Sequence, residues 1–278
     1  MSPMKISFSE VTSTVPAMRL GPVYLIPVVC EDVQAPLVFD TGASITTLSR
    51  TTAEKLHGIK TRKTLTVGGN AASRIKVETM LIPQLSVGGA VIRNLSAVVI
   101  EDEMLDFGYD ETGTHFLVNG LLGWDIIQFF TWRFDAQACT FHVCKPAANQ
   151  VTPNMENWDN MPLVHIQVDN RDEVFGFDSG NTETVLGDAF FERLTNAPET
   201  SDSFSGVDGV KEERVRIAET LHLQVGKVSI TLQDVPAVNR KLFPCRFPQV
   251  GGQLAADILQ GRSWIVDYPH RYVGIFKN

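Results

Sequence analysis

The sequence predicts an all-β protein made of two similar lobes, and two observations carry this prediction. The first is an internal duplication, in which "FDTGASITTLSRTTAEKL" from Phe39 aligns without a gap with "FDSGNTETVLGDAFFERL" from Phe177. The second is that both copies consist mainly of short apolar runs separated by polar turns, which is typical of β-strands. A chain of 278 residues is long enough to bury a core in each lobe.

The duplication extends through most of the chain. "VNGLLGWDIIQ" from Val118 aligns with "VGGQLAADILQ" from Val250, and each copy has a glycine-containing hairpin between its two motifs. Short helical segments, "TTAEKL" and "DAFFERL", follow the two Asp turns. We therefore predict an N-terminal lobe at 1–144, a polar linker at 145–160 and a C-terminal lobe at 161–278.

Composition narrows the class of protein. Hydrophobic residues make up 44% and charged residues 20% of the chain, as in soluble globular proteins. The net charge is −8 and no basic run is present, so we expect no nucleic-acid partner. No run approaches the ~18 apolar residues of a membrane span. No signal peptide is visible, which predicts a cytoplasmic location, with a secreted or periplasmic one still open if a signal was removed.

The cysteines and histidines predict no metal site. The four cysteines have no zinc-binding spacing, and the six histidines are scattered. Cys30 and Cys139 lie in apolar, strand-like runs, and we interpret them as small buried hydrophobic residues.

The paired Asp turns indicate chemistry in addition to shape. Two copies of a unit tend to pack about a pseudo-two-fold axis, where Asp40 and Asp178 would meet as twins. Two adjacent carboxylates share one proton, so one acts as a base toward water and the other as an acid toward a carbonyl oxygen. The neighbouring glycines let backbone N–H groups approach the carboxylates. The hydroxyls of Thr41 and Ser179 are expected to hydrogen-bond across the axis.

These motifs resemble aspartic proteases of the retropepsin/pepsin type. The resemblance rests on Asp40-Thr41-Gly42-Ala43-Ser44, on Asp178-Ser179-Gly180-Asn181-Thr182, and on Leu121-Leu122-Gly123, which is similar to the psi-loop motif of that fold. It implies two retropepsin-like β-barrel lobes related by a pseudo-two-fold axis, with few short helices.

The resemblance also implies a function and a set of site residues. The function is an aspartic endopeptidase that hydrolyses extended or unfolded polypeptide, as a monomer and without a cofactor. The catalytic residues implied are Asp40 and Asp178. The residues implied to shape the site are Thr41, Gly42, Ala43, Ser44, Ser179, Gly180, Asn181 and Thr182. The residues implied to mark two flap hairpins over one cleft are Gly68, Gly69, Gly206 and Gly209.

Some positions depart from the family pattern. Ala43 and Asn181 stand where pepsin-like enzymes usually have hydroxyls, and the loss of those hydrogen bonds predicts a mildly acidic to near-neutral pH optimum. We also expect the Asn181 side-chain amide to donate to Asp178. Ala255 and Ala256 replace the glycine and tryptophan of the first copy. These differences leave an alternative open, a catalytically inactive module that binds peptides in the same cleft.

The segments before the two psi-loop motifs differ in charge. Residues 101–111 are acidic, whereas 239–249 carry Arg240, Lys241 and Arg246. They are either solvated loops or the two ends of an electrostatically polarised cleft. The tryptophans at 124, 132 and 264 are expected in the core, and Asp125 and Asp257 at helix starts.

Overall fold

The structure is a computed structural model that describes residues 3–68, 74–109, 112–147, 151–156, 158, 160–207, 209–243 and 250–277. Most of them are in β-strands. The strands of the first half are β1 (Lys5–Phe8), β2 (Thr12–Pro16), β3 (Met18–Leu20), β4 (Val23–Cys30), β5 (Val33–Phe39), β6 (Thr47–Ser49), β7 (Ile59–Gly68), β8 (Arg74–Val87), β9 (Ala90–Ile100), β10 (Asp106–Tyr109), β11 (His115–Leu117), β12 (Gly120–Leu122), β13 (Thr131–Asp135) and β14 (Thr140–Cys144).

The second half repeats this order with fewer strands. They are β15 (Leu163–Val168), β16 (Arg171–Phe177), β17 (Val185–Leu186), β18 (Glu199–Gly206), β19 (Gly209–Val225), β20 (Val228–Val238), β21 (Val250–Leu254), β22 (Ser263–Asp267) and β23 (Tyr272–Phe276). The α-helices of the described residues are α1 (Arg50–Lys55), α2 (Trp124–Ile127) and α3 (Asp188–Arg193). Short 3₁₀ helices span Asp102–Leu105, Ala256–Leu259 and Tyr268–His270. The expected helices after the Asp turns are confirmed, and none of the described helices is long and apolar enough to cross a membrane.

Each half closes a sheet into a barrel. In the first half the strand order is β9-β6-β12-β5-β4-β8, and β8 pairs again with β9. In the second half the order is β15-β16-β21-β17-β20-β19, and β15 pairs with β19. Closure satisfies the backbone groups that an open sheet edge would expose. The prediction of an all-β fold with two similar barrel lobes is therefore confirmed.

The same strand insertion occurs in both barrels. β12 runs parallel to β5 and antiparallel to β6, and β21 has the same relations to β16 and β17. The strand that precedes each Asp turn thus lies beside the strand that carries the second motif of its copy. This places the two motifs of each repeat together at the end of the barrel that faces the other lobe.

A third sheet joins the two halves in the order β2-β14-β13-β22-β23. At its centre β13 pairs antiparallel with its repeat twin β22. Arg133 lies opposite its own twin Ile265, while Trp132 pairs with Val266 and Phe134 with Trp264. This register is symmetric, so the pseudo-two-fold axis passes between Arg133 and Ile265.

The core continues beneath this shared sheet. Trp124, Trp132 and Trp264 are all buried, which confirms the expected packing role. Trp264 stacks on Phe134 with ring centroids 5.3 Å apart, and Phe39 contacts both Trp132 and Trp264. Because Phe39 immediately precedes Asp40, the aromatic core supports the Asp turn from below.

The cysteines are placed only partly as expected. Cys30 is buried in β4, but Cys139 is half-buried in the turn before β14, with φ of +52°, rather than in a strand. Cys245 lies outside the described residues. The linker prediction is not tested as a boundary. Within it, Asn154 donates to the carbonyl of Val273 and accepts from its N–H, so this part of the segment is fixed to β23.

Candidate active site

The two Asp turns begin in the same way on the two lobes. The N–H of Asp40 donates to the carbonyl of Leu122 at 3.1 Å, and that of Asp178 donates to Leu254 at 2.9 Å. Each Asp therefore leaves its strand while still hydrogen-bonded to the inserted strand. The local sequence ends the strand at this point because the Asp carboxylate accepts the next free backbone N–H groups.

Each carboxylate is bound by its own turn. Oδ1 of Asp40 accepts the N–H groups of Gly42 and Ala43, both at 2.8 Å. Oδ1 of Asp178 accepts those of Gly180 at 3.0 Å and Asn181 at 3.1 Å. One oxygen of each carboxylate is thus fixed by backbone donors, which orients the other.

The glycines allow the two carboxylates to meet. A Cβ built on Gly42 would lie 2.2 Å from Cγ of Asp178, and one built on Gly180 would lie 2.2 Å from Cγ of Asp40. Each carboxylate therefore lies over the glycine of the opposite turn. The structure brings Asp40 and Asp178 together as a dyad, and a side chain at either glycine position would displace one of them.

Thr41 and Ser179 connect the two turns across the axis. The Thr41 hydroxyl donates to the carbonyl of Phe177 at 2.6 Å and accepts the N–H of Ser179 at 3.0 Å. The Ser179 hydroxyl donates to the carbonyl of Phe39 at 2.7 Å and accepts the N–H of Thr41 at 3.1 Å. These four buried hydrogen bonds hold the turns in register, as expected from the sequence.

Burial governs the protonation of the dyad. Asp40 and Asp178 are only 8% and 9% exposed. Burial raises the pKa of Asp40, opposed by the N–H groups of its turn and by its hydrogen bond to Asp178. Burial also raises the pKa of Asp178, and the neighbouring charge of Asp40 raises it further. The pair therefore favours a state that holds one proton between two carboxylates.

A second pair of aspartates supports the turns from behind. Oδ1 of Asp125 accepts both the N–H and the hydroxyl of Thr46, at 2.8 and 2.7 Å. Asp257 accepts the N–H of Thr184 on Oδ2 and its hydroxyl on Oδ1, both at 2.8 Å. The two aspartates lie at helix starts as expected, but their role in anchoring the turns was not predicted from the sequence. Burial raises the pKa of Asp125 to about 6.

The glycine of the psi loop is replaced in the second lobe without distortion. Gly123 has φ of −91°, and a Cβ there would lie 2.6 Å from backbone atoms of Ile45 and Thr46. Ala255 has φ of −121°, which an alanine adopts readily, and it is fully buried. In both lobes the next N–H donates to the Asp turn, from Trp124 to Ala43 and from Ala256 to Asn181.

The expectation for the Asn181 side chain is wrong. Its amide nitrogen donates to the carbonyl of Glu183, and its oxygen accepts the N–H of Thr182, so it completes the turn. The side chain that donates to Asp178 is Gln253, whose Nε2 lies 2.5 Å from Oδ2. The sequence reasoning missed Gln253. The available signal was a polar residue aligned with Leu121 in an apolar motif.

A cavity of about 580 Å³ opens over the dyad. The expected site residues Ala43, Ser44 and Thr182 line it, together with both glycines of the Asp turns. Its first-lobe wall is mainly apolar and consists of Val23, Val38, Ile45, Val98, Ile100, Phe107, Phe116, Val118 and Leu121. The second-lobe side, from Asn181, Thr182, Glu183 and Ser205, is more polar.

Both expected hairpins reach this cavity. Val67 and Gly68, at the end of β7, line it from one side, and Ser205, Gly206 and Val207 from the other. Gly209 pairs with Gly206 across the second hairpin and has φ of +114°, which favours glycine. Gly69 lies outside the described residues. The two hairpins face one cleft, which is the arrangement predicted for two flaps.

The polarised cleft is not supported by the described residues. Glu101 binds Arg50, with Oε1 2.7 Å from Nη2, and Asp106 binds His115 at 2.8 Å. In the basic segment Arg240 binds Glu213 at 2.8 Å. The acidic segment does line the cavity, but through Phe107 and Tyr109 rather than its described acids. Asp110, Glu111 and 244–249, which include Arg246, lie outside the described residues.

Among the described residues no group of three or more His, Cys, Asp or Glu side chains is arranged to bind a metal.

The chain is similar to known aspartic proteases in part of its sequence and in its fold. Residues 26–126, which include the first Asp turn and the psi-loop motif, match the family described as aspartyl protease. Among solved structures the chain is similar to the aspartic proteinase from Irpex lacteus, with a TM-score of 0.56 and 13% sequence identity over 96% of this chain and 97% of that chain. No curated protein matches the chain.

The recognition made from the two motifs is thereby confirmed. The chain has the bilobal fold of pepsin-type aspartic proteases, and its first lobe carries the aspartyl protease signature. Fold and family together support a proteolytic function in general.

Proposed function

We propose that this protein is an aspartic endopeptidase that hydrolyses peptide bonds of extended or unfolded polypeptide. The observation that carries the proposal is the crossed placement of Asp40 over Gly180 and of Asp178 over Gly42. This contact requires both turns to be intact and aligned. The four hydrogen bonds of Thr41 and Ser179 provide that alignment.

The chemistry follows from a dyad that holds one proton. The ionised carboxylate removes a proton from a bound water, whose oxygen attacks the carbonyl carbon of the peptide. The protonated carboxyl donates its proton to the carbonyl oxygen. The tetrahedral intermediate is therefore neutral, and no proton is exchanged with solvent as it forms. The carboxyl that took the proton from water then donates it to the amide nitrogen, while the other carboxylate removes a proton from a hydroxyl of the intermediate. The C–N bond breaks, and the products are a carboxylic acid and an amine. The dyad returns to its initial state, and no cofactor takes part.

The cleft fits an extended substrate. The two hairpins present exposed backbone over the cavity, where an extended peptide pairs by main-chain hydrogen bonds with alternate side chains in pockets. Because the chain supplies both aspartates, a monomer completes the site. Burial raises the pKa of both aspartates, and we therefore expect activity at mildly acidic to near-neutral pH.

The test is incubation of the purified protein with a mixed peptide library between pH 3 and 8, alongside Asp40→Asn and Asp178→Asn. Asp135→Asn is a matched control, because Asp135 accepts the N–H groups of Gln137 and Ala138 in the same turn geometry but lies in the shared sheet. Cleavage by the wild type and the control, lost in both dyad variants, supports the proposal. Peptide binding without cleavage at any pH would instead identify an inactive binding module.

A further inference from the structure

A chemical asymmetry of the dyad comes from a pair of twin residues. Leu121 in β12 and Gln253 in β21 occupy the same place in the repeat, beside Asp40 and Asp178 respectively. Leu121 lines the apolar wall of the cavity. Gln253 points its amide at the dyad, with Nε2 2.5 Å from Oδ2 of Asp178. A leucine has no hydrogen-bonding atom, so the first lobe has no counterpart to this bond.

The backbone fixes Gln253 in this position. It pairs with Gly176 in the parallel strand β16 and with Val185 in the antiparallel strand β17. The next residue, Leu254, accepts the N–H of Asp178 itself. The side chain is half-buried, and the pairing of its backbone with both neighbouring strands fixes the point from which it extends.

The two carboxylates therefore have different sets of donors. Oδ1 of each accepts two backbone N–H groups from its own turn. The carboxylate of Asp178 accepts a third N–H, from Gln253, on the oxygen that the turn does not bind. An N–H group donates more strongly to a charged carboxylate than to a neutral carboxyl group. Gln253 consequently favours negative charge on Asp178.

We propose that Gln253 is a positioning residue that stabilises the ionised dyad through Asp178 and so sets the pH range in which the dyad works. The proposal rests on the proposed function, because the dyad is taken to be the catalytic group. Burial and the charge of Asp40 raise the pKa of Asp178. The N–H that Gln253 places on Oδ2 favours the charged carboxylate and therefore acts in the opposite direction. Among the residues that the structure describes, the other titratable groups lining the cavity are Tyr109 and Glu183, and Asp125 and Asp257 lie behind the turns.

The first experiment uses the wild-type side chain. The Nε2 resonance of Gln253, assigned by its loss in Gln253→Met, is followed by NMR from pH 3 to 8. It should shift with the apparent pKa values of the dyad, and this shift should be absent in Asp178→Asn. A resonance that does not change with pH would overturn the proposal. This measurement does not depend on catalysis, and its main observation is made on the wild-type protein.

The second experiment compares pH–rate profiles for one peptide substrate. Gln253→Met removes the donor at nearly constant length, and Leu121→Met is the matched change at the twin position. Loss of one charge-assisted hydrogen bond corresponds to about one pH unit, so the limbs of the Gln253→Met profile should move up, with shifts that together amount to about one unit. The limbs of the Leu121→Met profile should not move.

Each other outcome counts against the proposal. Unmoved limbs would make Gln253 a packing residue. A downward shift would mean that the amide oxygen faces a protonated Asp178. Faster turnover with unmoved limbs would mean that the amide obstructs the dyad. If the wild type cleaves nothing while the Gln253 resonance follows the dyad, the proposed function fails and the assignment of Gln253 stands. If the wild type cleaves peptides while the resonance does not change with pH, the proposed function stands and the assignment of Gln253 fails.

Discussion

The carboxyl group of Asp178 occupies the space in which the side chain of any residue other than glycine would begin at position 42. Cγ, Oδ1 and Oδ2 of Asp178 all lie within 2.4 Å of the Cβ position of Gly42. The same relation holds between Asp40 and Gly180, with distances of up to 2.6 Å. The glycine of each Asp turn is thus required by the other turn, across the axis.

We expect Gly42→Ala and Gly180→Ala to abolish peptide cleavage while the lobes remain folded. The added methyl group must push the opposite carboxylate away, and displacement of a reacting group by about 1 Å costs on the order of 100-fold in rate. The measurement is kcat with a peptide substrate, with circular dichroism as the check on folding. Gly89→Ala is the control, since its nearest contacts are side-chain atoms 3.2 Å away in a turn of the first barrel. Full activity in Gly42→Ala would contradict this geometry.

Thr41 gives a prediction about stability. Thr41→Val keeps the shape of the side chain but leaves the carbonyl of Phe177 and the N–H of Ser179 without their partner in a fully buried place. Each unsatisfied group costs about 1–3 kcal/mol, so we expect the free energy of unfolding to fall by about 2–6 kcal/mol for the two groups. Thr41→Ser retains the hydroxyl and should lose less than about 1.5 kcal/mol. Urea denaturation measures both; equal losses would show that the hydroxyl is not what matters.

The sequence predicted the contacts that twin residues make across the pseudo-two-fold axis, but not those that depend on the strand order within a lobe. The dyad followed from the duplication, because a repeat that packs about an axis must bring twin residues together. The crossed hydroxyls followed for the same reason. The partner of Gln253 did not, because the place of that side chain depends on the register of β21 between β16 and β17. The partners of Asn181 did not either, because an amide in a turn can bind the neighbouring backbone.

The sequence also did not predict which charged side chains pair with each other. The acidic segment looked like one end of a polarised cleft, but Glu101 binds Arg50, which is 51 positions away. That partner became visible only when β6 and β9 were seen side by side. The anchoring role of Asp125 was missed for the same reason, since Thr46 lies 79 positions earlier in the chain. Repeats predict contacts across the axis, whereas contacts within a lobe require its strand order.

Asp125 predicts how stability changes with pH. Burial raises its pKa in the folded state from 3.8 to about 6, opposed by the hydrogen bonds from Thr46. Below about pH 4 the carboxyl is protonated in both states and burial carries no charge penalty. Between about pH 4 and 6 the unfolded state loses its proton first, so the folded state becomes less favoured as pH rises, by up to about 3 kcal/mol.

This prediction is tested by the difference in the free energy of unfolding between the wild type and Asp125→Asn. Asp125→Asn keeps an oxygen that accepts from Thr46 but does not titrate, and all other carboxylates are common to both proteins. The free energy of unfolding of the wild type relative to Asp125→Asn should therefore fall from pH 4 to 6 and stay constant above. A difference that is flat over this range, or that grows with pH, would show that Asp125 is ionised in the folded protein at pH 4.

The apolar wall of the first lobe predicts which peptides are cleaved best. Phe107 and Phe116 line the cavity on this side, and Phe116 also packs on Gly21, where its ring leaves no room for a Cβ. An aromatic or large aliphatic side chain beside the scissile bond would bury apolar area against these rings, whereas a charged one would lose its hydration without an opposite charge from this wall. We expect Phe116→Ala to lower kcat/KM by about 10-fold or more for a peptide with Phe at that position. For the same peptide with Ala there, the change should be under about threefold, because little contact is lost. Parallel kcat/KM measurements with the two peptides decide the matter, since equal losses would mean that Phe116 supports the lobe without contacting the substrate.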